Sequence, residues 1–172
     1  MNSPQLNKVH LRALEPDDLD LLYALENDAD LWTVGCQNTP YSKFTLANYI
    51  QTNSNDFFAD RQVRMVMALD DGTCIGLADV FSYQPAYGRA EVGIAVLNGY
   101  RRMGCAHQAI VALTDMARRF WHLHQLYALV LTTNQPAVAL FSKAGFSANA
   151  TLKDWFYDGE KYHDALLMQI FL

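Results

Sequence analysis

The stretch that most constrains this chain runs from Arg89 to Phe146, where strand-like and helix-like patterns alternate around a glycine-containing loop. Arg89 to Val96 reads as a strand and ends at the turn dipeptide Asn98-Gly99. Ala106, Ala109, Ile110, Leu113, Met116, Ala117 and Phe120 then recur at the spacing of one helical face, and Tyr127 to Leu131 is a short apolar strand. A strand, a crossover helix and a second strand make a β-α-β unit, which places two parallel strands in one sheet. Asn134 can cap a further helix, Pro136 suits its first turn, and Gly145 sits where a left-handed residue ends it.

The flanking sequence supplies more strands for the same sheet. Val9, Leu11 and Ala13 alternate with His10 and Arg12 as a half-buried first strand. Pro16 and the acidic Asp17 and Asp18 suit the first turn of a helix with Leu19, Leu22, Tyr23 and Leu25 on its inner face. Ser42 caps a second helix carrying Phe44, Leu46, Ala47, Tyr49 and Ile50. A hairpin joins Met65–Leu69 to Cys74–Phe81 through Asp70-Asp71-Gly72, and a last pair, Ala148–Tyr157 and Tyr162–Phe171, turns at Asp158-Gly159. The order β-α-α-β-β-β-α-β-α-β-β predicts an α/β chain of mixed, α+β-like character, with helices on the faces of a mixed sheet. With 172 residues, 51% of them apolar, and no linker or repeat, residues 1–172 are expected to form one domain.

Several function classes are disfavoured. The start, Met1 to Lys8, is polar, and no run approaches the roughly 20 apolar residues of a membrane span, so a cytoplasmic protein is expected. Cys36, Cys74 and Cys105 are odd in number and lack metal-like spacing, which predicts neither a disulfide framework nor a structural metal. The net charge is −5 and the basic residues are scattered, which argues against nucleic acid and mildly favours a cationic ligand.

The chemistry lies in Arg101-Arg102-Met103-Gly104-Cys105-Ala106, a strand-to-helix loop of the form [QR]-x-x-G-x-[GA]. The first N–H groups of a helix have no intrahelical partner, and with the helix dipole they form a site for a pyrophosphate. Gly104 removes the Cβ that would hold phosphates off the backbone, Ala106 is small for the same purpose, and Arg101 and Arg102 add positive charge. An ordinary turn with exposed arginines has the same six-residue pattern.

Three ordered segments narrow that choice: Ala90-Glu91-Val92-Gly93-Ile94, the Arg101–Ala106 loop, and the block from Asn134-Gln135-Pro136-Ala137 to Lys143-Ala144-Gly145-Phe146. Together they resemble the coenzyme core of the GNAT superfamily of N-acetyltransferases. Within it, Val9–Glu15 and Asp158–Asp164 resemble the branch holding bacterial spermidine acetyltransferases and ribosomal-protein N-terminal acetyltransferases. The resemblance covers nearly the whole chain. It implies a central twisted mixed sheet of about six or seven strands with helices on both faces and a splay between the two central parallel strands.

It also implies roles. Acetyl-CoA would be the cosubstrate. Ile94, Ala95 and Val96 would pair with the pantetheine arm, and Arg101, Arg102, Met103, Gly104, Cys105 and Ala106 would hold the pyrophosphate. Asn134 would bond the pantetheine or act as a plain helix cap, Phe141 would sit beside the thioester, and Lys143 would lie near the adenosine phosphate or in solvent. An amine attacks only as the free base, while an alkyl ammonium titrates near about 10, so a proton acceptor is required. Glu91 is the candidate base, with pairing to Arg89 as the alternative, and the Val96 N–H is the candidate oxyanion donor.

Two departures are visible. Phe141 stands where many relatives carry a tyrosine that protonates the leaving thiolate, so Tyr157, Tyr100 or a water is the alternative donor; a thiol with a pKa near about 8.5 also leaves tolerably unaided. The spermidine enzymes carry adjacent acidic residues before a Pro-Tyr pair, whereas this chain reads Cys36-Gln37-Asn38-Thr39-Pro40-Tyr41. Glu26, Gln37 and Tyr41 are the candidate acceptor contacts. The expected acceptor is a small amine such as a diamine or polyamine; a protein N-terminus, and an acetyl-CoA-binding module with weak catalysis, are the competing readings. A homo-oligomer formed through the apolar C-terminal strand is a further expectation.

Overall fold

The computed structural model describes residues 8–29, 31 and 39–172. Its frame is a seven-stranded sheet in the order β1-β2-β3-β4-β5-β7-β6. Strands β1 (Val9–Ala13), β2 (Val63–Leu69), β3 (Cys74–Gln84) and β4 (Arg89–Val96) are antiparallel neighbours. Strand β5 (Gln125–Leu131) runs parallel to β4, and β7 (Tyr162–Phe171) and β6 (Ser147–Tyr157) complete the sheet in antiparallel fashion. The sheet is therefore mixed, with one parallel pair near its middle.

Helices lie on both faces. On one, α1 (Leu19–Glu26) and α2 (Lys43–Thr52) bring Leu22, Leu25 and Leu46 against Val66 and Leu77. On the other, α4 (Cys105–Arg119) lays Ala109, Ile110, Leu113 and Ala117 against Ala90, Val92 and Val96 of β4. The last helix, α5 (Gln135–Lys143), adds Phe141 to that second core. Each fully buried leucine contributes roughly 1.5–3 kcal/mol, so both faces are held largely by such side chains. A four-residue helix, α3 (Phe57–Asp60), was not expected from the pattern. The Asp56 carboxylate caps it by accepting from the N–H groups of Phe58 and Ala59, and Phe57 stacks on Trp121 with ring centroids 4.5 Å apart.

The caps follow the sequence. Ser42 accepts from Thr45 N–H, Asn134 accepts from Ala137 N–H, and Gly145 has φ +95°. One assignment to an inner helix face does not hold, and one apolar residue of the second helix lies outward. Tyr23 is exposed beside Lys43, because it follows Leu22 by 100° around the helix. Phe44 is 76% exposed, because Leu46 takes the buried stripe and Phe44 lies about 200° away.

The C-terminal strand also differs from expectation. Both of its edges are occupied, by β5 and β6, so it offers none to a second subunit; the open edges belong to β1 and β6.

Asp18 is not a solvated carboxylate at a helix start. It is buried, accepts from both terminal nitrogens of Arg12 at 2.7 Å and from the Glu15 N–H at 2.8 Å, and so ties β1 to the entry of α1. Burial alone would push its carboxyl up, but these hydrogen bonds and the Arg12 charge hold it below the ordinary carboxylate range. A depressed folded-state pKa contributes stability above the unfolded value that is lost as pH falls through the folded one. Asp18→Asn is expected to lower unfolding free energy by about 1–3 kcal/mol in urea titrations at neutral pH. Its stability should also fall less steeply than the wild type's on acidification; identical pH dependence would show that the pair is energetically silent.

Candidate active site

The parallel ladder in the middle of the sheet is short. Arg89, Ala90 and Glu91 pair with Gln125, Leu126 and Tyr127, and the pairing stops there. Strand β4 runs on to Val96 while staying paired to β3, and β5 runs on to Leu131 while staying paired to β7. The two strands thus part after Glu91. The Leu97 N–H donates to Ile75 O at 2.9 Å, on the β3 side. Alternation along the strand therefore turns the Val96 N–H and both backbone groups of Ile94 into the gap. Backbone groups presented this way can be met by an extended, amide-bearing chain adding as a strand.

Just beyond lies the glycine loop. Arg102 has φ +62° and Gly104 φ +79°, so the chain coils back before α4 begins at Cys105. Gly104 is the N-cap and supplies no capping side chain, and the first turn holds no acidic residue. The opening N–H groups of the helix, with its dipole, face an anion site that no resident carboxylate occupies. Arg102 and Met103 are exposed, Cys105 is buried, and Ala106 packs partly on the core.

Arg101 differs from the mobile cation expected. Its Nε donates to Val96 O at 2.8 Å and its Nη2 lies 3.4 Å from Asp28 Oδ2. It braces the end of β4, leaving the exposed Arg102 as the mobile charge of the loop.

On the α1–α2 face a cavity of about 550 Å³ opens beside the gap. Gly93, Ile94 and Ala95 form its β4 wall, and Phe81, Arg64, Asp79, Glu26, Tyr41 and Tyr49 line the remainder with neighbouring apolar residues. A Cβ on Gly93 would stand 3.1 Å from the Phe81 ring, so glycine keeps that wall open. Asn27 fixes Tyr41 by accepting from its N–H at 2.8 Å and donating to its carbonyl at 3.1 Å. Arg64 donates to Glu26 at 2.5 Å and grips Asp79 through Nε and Nη2.

Glu91 sits on the last rung of the parallel ladder, opposite Tyr127, and pairs across the sheet with Phe81 of the cavity wall. Strand alternation puts it on the same face as Gly93 and Ala95. Burial pushes its carboxyl up, and hydrogen bonding to Tyr127 draws it partly back. The Tyr127 hydroxyl is pushed up by burial and by the Glu91 charge.

The structure thus brings Glu91, Ile94, Ala95 and Val96 to the gap, the Arg101–Ala106 loop to its end, and Glu26 and Tyr41 to the adjoining cavity. Of the other expected residues, Tyr157 lies away from the gap, while Asn134 and Lys143 follow their alternative readings as a helix cap and a solvent-exposed residue. Tyr157 is exposed at the β6–β7 hairpin, where its hydroxyl donates to Gly159 O at 2.9 Å and its ring lies 4.9 Å from that of Tyr162. Phe141 is 5% exposed and packs edge-on against Phe146, as a core residue does. The Asn134 side-chain oxygen is engaged in capping, and Lys143 is exposed at the end of α5. Gln37 lies outside the described residues.

Arg64, Asp79 and Tyr127 were not anticipated. A straight hairpin in the register Ala68↔Cys74 would set Arg64 opposite Ala78; a bulge between Met67 and Ala68 moves it opposite Asp79. A salt-bridging pair one residue out of register was the available signal.

A domain model described as an acetyltransferase (GNAT) domain matches residues 8–147. The chain belongs to the GNAT acetyltransferase family. It is an N-acetyltransferase with acetyl-CoA as cosubstrate. Among its relatives, spermidine N(1)-acetyltransferase of Escherichia coli (strain K12) is 27% identical over 168 residues, covering 98% of this chain and 88% of the relative. An N-alpha-acetyltransferase of Saccharolobus solfataricus is 38% identical over 77 residues, 45% of this chain and 44% of the relative. A crystal structure of spermidine N-acetyltransferase from Vibrio cholerae in complex with CoA and spermine superposes with TM-score 0.85 at 25% identity, covering 95% of each chain.

The residues present suit that cosubstrate. GNAT proteins bind a ligand with an anionic end and an amide-bearing arm, and here an uncapped helix start and an unpaired strand edge lie in sequence along one gap. Gly104→Ala adds a Cβ at a positive φ, which disfavours this loop conformation by roughly 1–2 kcal/mol. The loop relaxes away from the conformation that presents the opening N–H groups of α4, and coenzyme A affinity measured by calorimetry should fall by up to about tenfold, the cost of restoring that conformation on binding. Unchanged affinity would remove the loop from the binding site.

Proposed function

We propose that this chain moves an acetyl group from acetyl-CoA to a primary amine by direct attack on the thioester, the acceptor being a small amine such as a diamine or polyamine. One observation carries the reading: Ile94 and Ala95 belong both to the diverging stretch of β4 and to the wall of the acidic cavity. A thioester drawn along the gap and an amine held in the cavity then meet at one strand.

In this reading acetyl-CoA supplies the activated acyl group, and the chain supplies proton transfer and charge stabilisation. The amine nitrogen bonds to the thioester carbonyl carbon, its proton passes to Glu91 directly or through water, and the carbon–sulfur bond breaks to release the coenzyme A thiolate. The Val96 N–H, turned into the gap, donates to the carbonyl oxygen as negative charge gathers there. No side chain is assigned to protonate sulfur. Phe141 is apolar and packed, the Tyr157 hydroxyl is bonded within its own hairpin, and a thiolate is an adequate leaving group at neutral pH.

The similarity to an archaeal N-alpha-acetyltransferase spans 77 residues, while that to spermidine N(1)-acetyltransferase spans 168, which supports a small-molecule amine over a peptide. We also place the chain in the cytoplasm, consistent with Cys74 and Cys105 as free thiols and with no described helix long and apolar enough to cross a membrane. For self-association the open edge strand β6 is the surface we assign.

Thiol release from acetyl-CoA with a panel of amines and peptides tests the reaction. Turnover with small amines is expected; exclusive turnover with peptide N-termini would overturn the acceptor class, and a failure of every amine and peptide to raise thiol release above the acceptor-free rate would overturn the proposed transfer. Glu91 must be ionised to accept a proton, and burial holds its carboxyl above the ordinary glutamate range, so its contribution to the acid side of the kcat profile at saturating amine should lie above that range. Glu91→Gln should lower kcat by about 10²–10³ and remove that contribution. An unchanged rate and kcat profile would reject Glu91 as the base.

A further inference from the structure

Glu91 and Tyr127 form the last rung of the parallel ladder before β4 and β5 part. Paired strands lie about 4.8 Å apart, and residues opposite each other in register send their side chains to the same face. That face is the one shared with Gly93 and Ala95; the other is the core against α4, where Ala90, Val92, Leu126 and Ala128 are buried. Glu91 and Tyr127 are both half-buried, and the Tyr127 hydroxyl is hydrogen-bonded to the Glu91 carboxyl.

The ionisable groups around this rung are engaged with other partners. On β3 the residue opposite Glu91 is Phe81, and Asp79, opposite Gly93, is held by Arg64. Glu26 of α1 and Tyr49 of α2 also meet Arg64, and Tyr41 lines the same cavity. Arg89, two residues back on β4, donates to Gln84 Oε1 at 2.9 Å and lies over the Tyr87 ring. Among the described residues, Tyr127 is the side chain that hydrogen-bonds Glu91. Tyr127 is in turn held from its other side. Gln169 of β7 stands opposite it, donates to Gln125 Oε1 at 2.7 Å and accepts from Asn149 Nδ2 at 3.0 Å. These amides satisfy one another across β6, β7 and β5 and leave the Tyr127 hydroxyl to Glu91.

An ionised carboxylate only accepts hydrogen bonds, so the Tyr127 O–H donates to it; once Glu91 has taken a proton, its own O–H can donate to the Tyr127 oxygen. The contact thus persists, with its direction reversed, on both sides of a proton transfer. The phenol does not compete as a base, because burial and the Glu91 charge push it up and keep it protonated. A glutamate without such a partner would have to be ordered at the moment of reaction. We propose that Tyr127 is a positioning residue for acetyl transfer, its hydroxyl fixing the Glu91 carboxylate at the start of the gap so that it faces the attacking amine. This rests on the amine-acetylation reading with Glu91 as proton acceptor, and deepens it.

The test follows kcat at saturating amine against pH in the wild type, Tyr127→Phe, Glu91→Gln and the double variant, with coenzyme A affinity as the check of folding. Phenylalanine keeps the ring and removes only the donor. At neutral pH, kcat of Tyr127→Phe should fall about tenfold while coenzyme A affinity is unchanged. The hydrogen bond draws the Glu91 carboxyl down, so its loss leaves burial unopposed and the acid side of the profile should move to higher pH. In the Glu91→Gln background the same substitution should change kcat by less than about twofold, because the group it positions is gone. In the wild type itself, the Tyr127 Cζ resonance in carbon NMR should show a titration step that Glu91→Gln lacks. An unmoved profile in Tyr127→Phe, equal losses of rate in both backgrounds, or a Cζ resonance without that step would overturn the proposal and leave Glu91 as the base. Glu91→Gln without effect on rate or profile overturns the base and its positioning residue together.

Discussion

The structure turns on the point where β4 and β5 part company after Glu91 and Tyr127. Two parallel strands that stayed paired would satisfy each other's backbone groups and close the sheet. Here each strand keeps its outer neighbour, β3 or β7, and gives up its inner one. An unpaired buried backbone group costs on the order of 1–3 kcal/mol, so the gap is a standing demand for an amide-bearing partner. Arg101 relieves part of it by binding Val96 O, and Asn134 relieves part on the other side by donating its N–H to Leu131 O at 2.8 Å. Both residues belong to the family motifs, and both act here as braces that hold the gap's ends open.

Much of this was legible beforehand because local signals agreed with one another. Ser42, Asn134 and Gly145 mark helix ends by mechanisms confined to a few residues, and all three perform as read. The helical stripe from Ala106 to Ala117 finds its core because it has no competing face. The exposed Tyr23 escaped the reading, since an apolar residue next to a buried stripe gives no sign of which side of it lies inward.

The candidate site was less legible, for a related reason. The coenzyme loop is contiguous in sequence and could be found by motif, whereas the cavity joins α1, α2, β2, β3 and β4. Arg64 meets Asp79 only because of a one-residue bulge, and Glu26 reaches Arg64 across 38 positions of chain. Tyr127 meets Glu91 through a parallel register that depends on the intervening crossover. Contacts of this kind are products of topology, and residue types at a fixed spacing do not announce them.

In the proposed reading, local charge lets an acidic chain accommodate both substrates. Backbone N–H groups at the N-terminal end of α4 and the exposed Arg102 supply positive potential where the polyanionic cosubstrate is proposed to bind. The proposed acceptor cavity lies against Gly93, Ile94 and Ala95 of β4, and there two carboxylates, Glu26 and Asp79, share the Arg64 guanidinium. Glu91 stands on the last rung of the parallel ladder, half-buried, its carboxyl raised by desolvation and moderated by Tyr127. Its place as the proposed base therefore follows from the same parting of β4 and β5 that creates the gap.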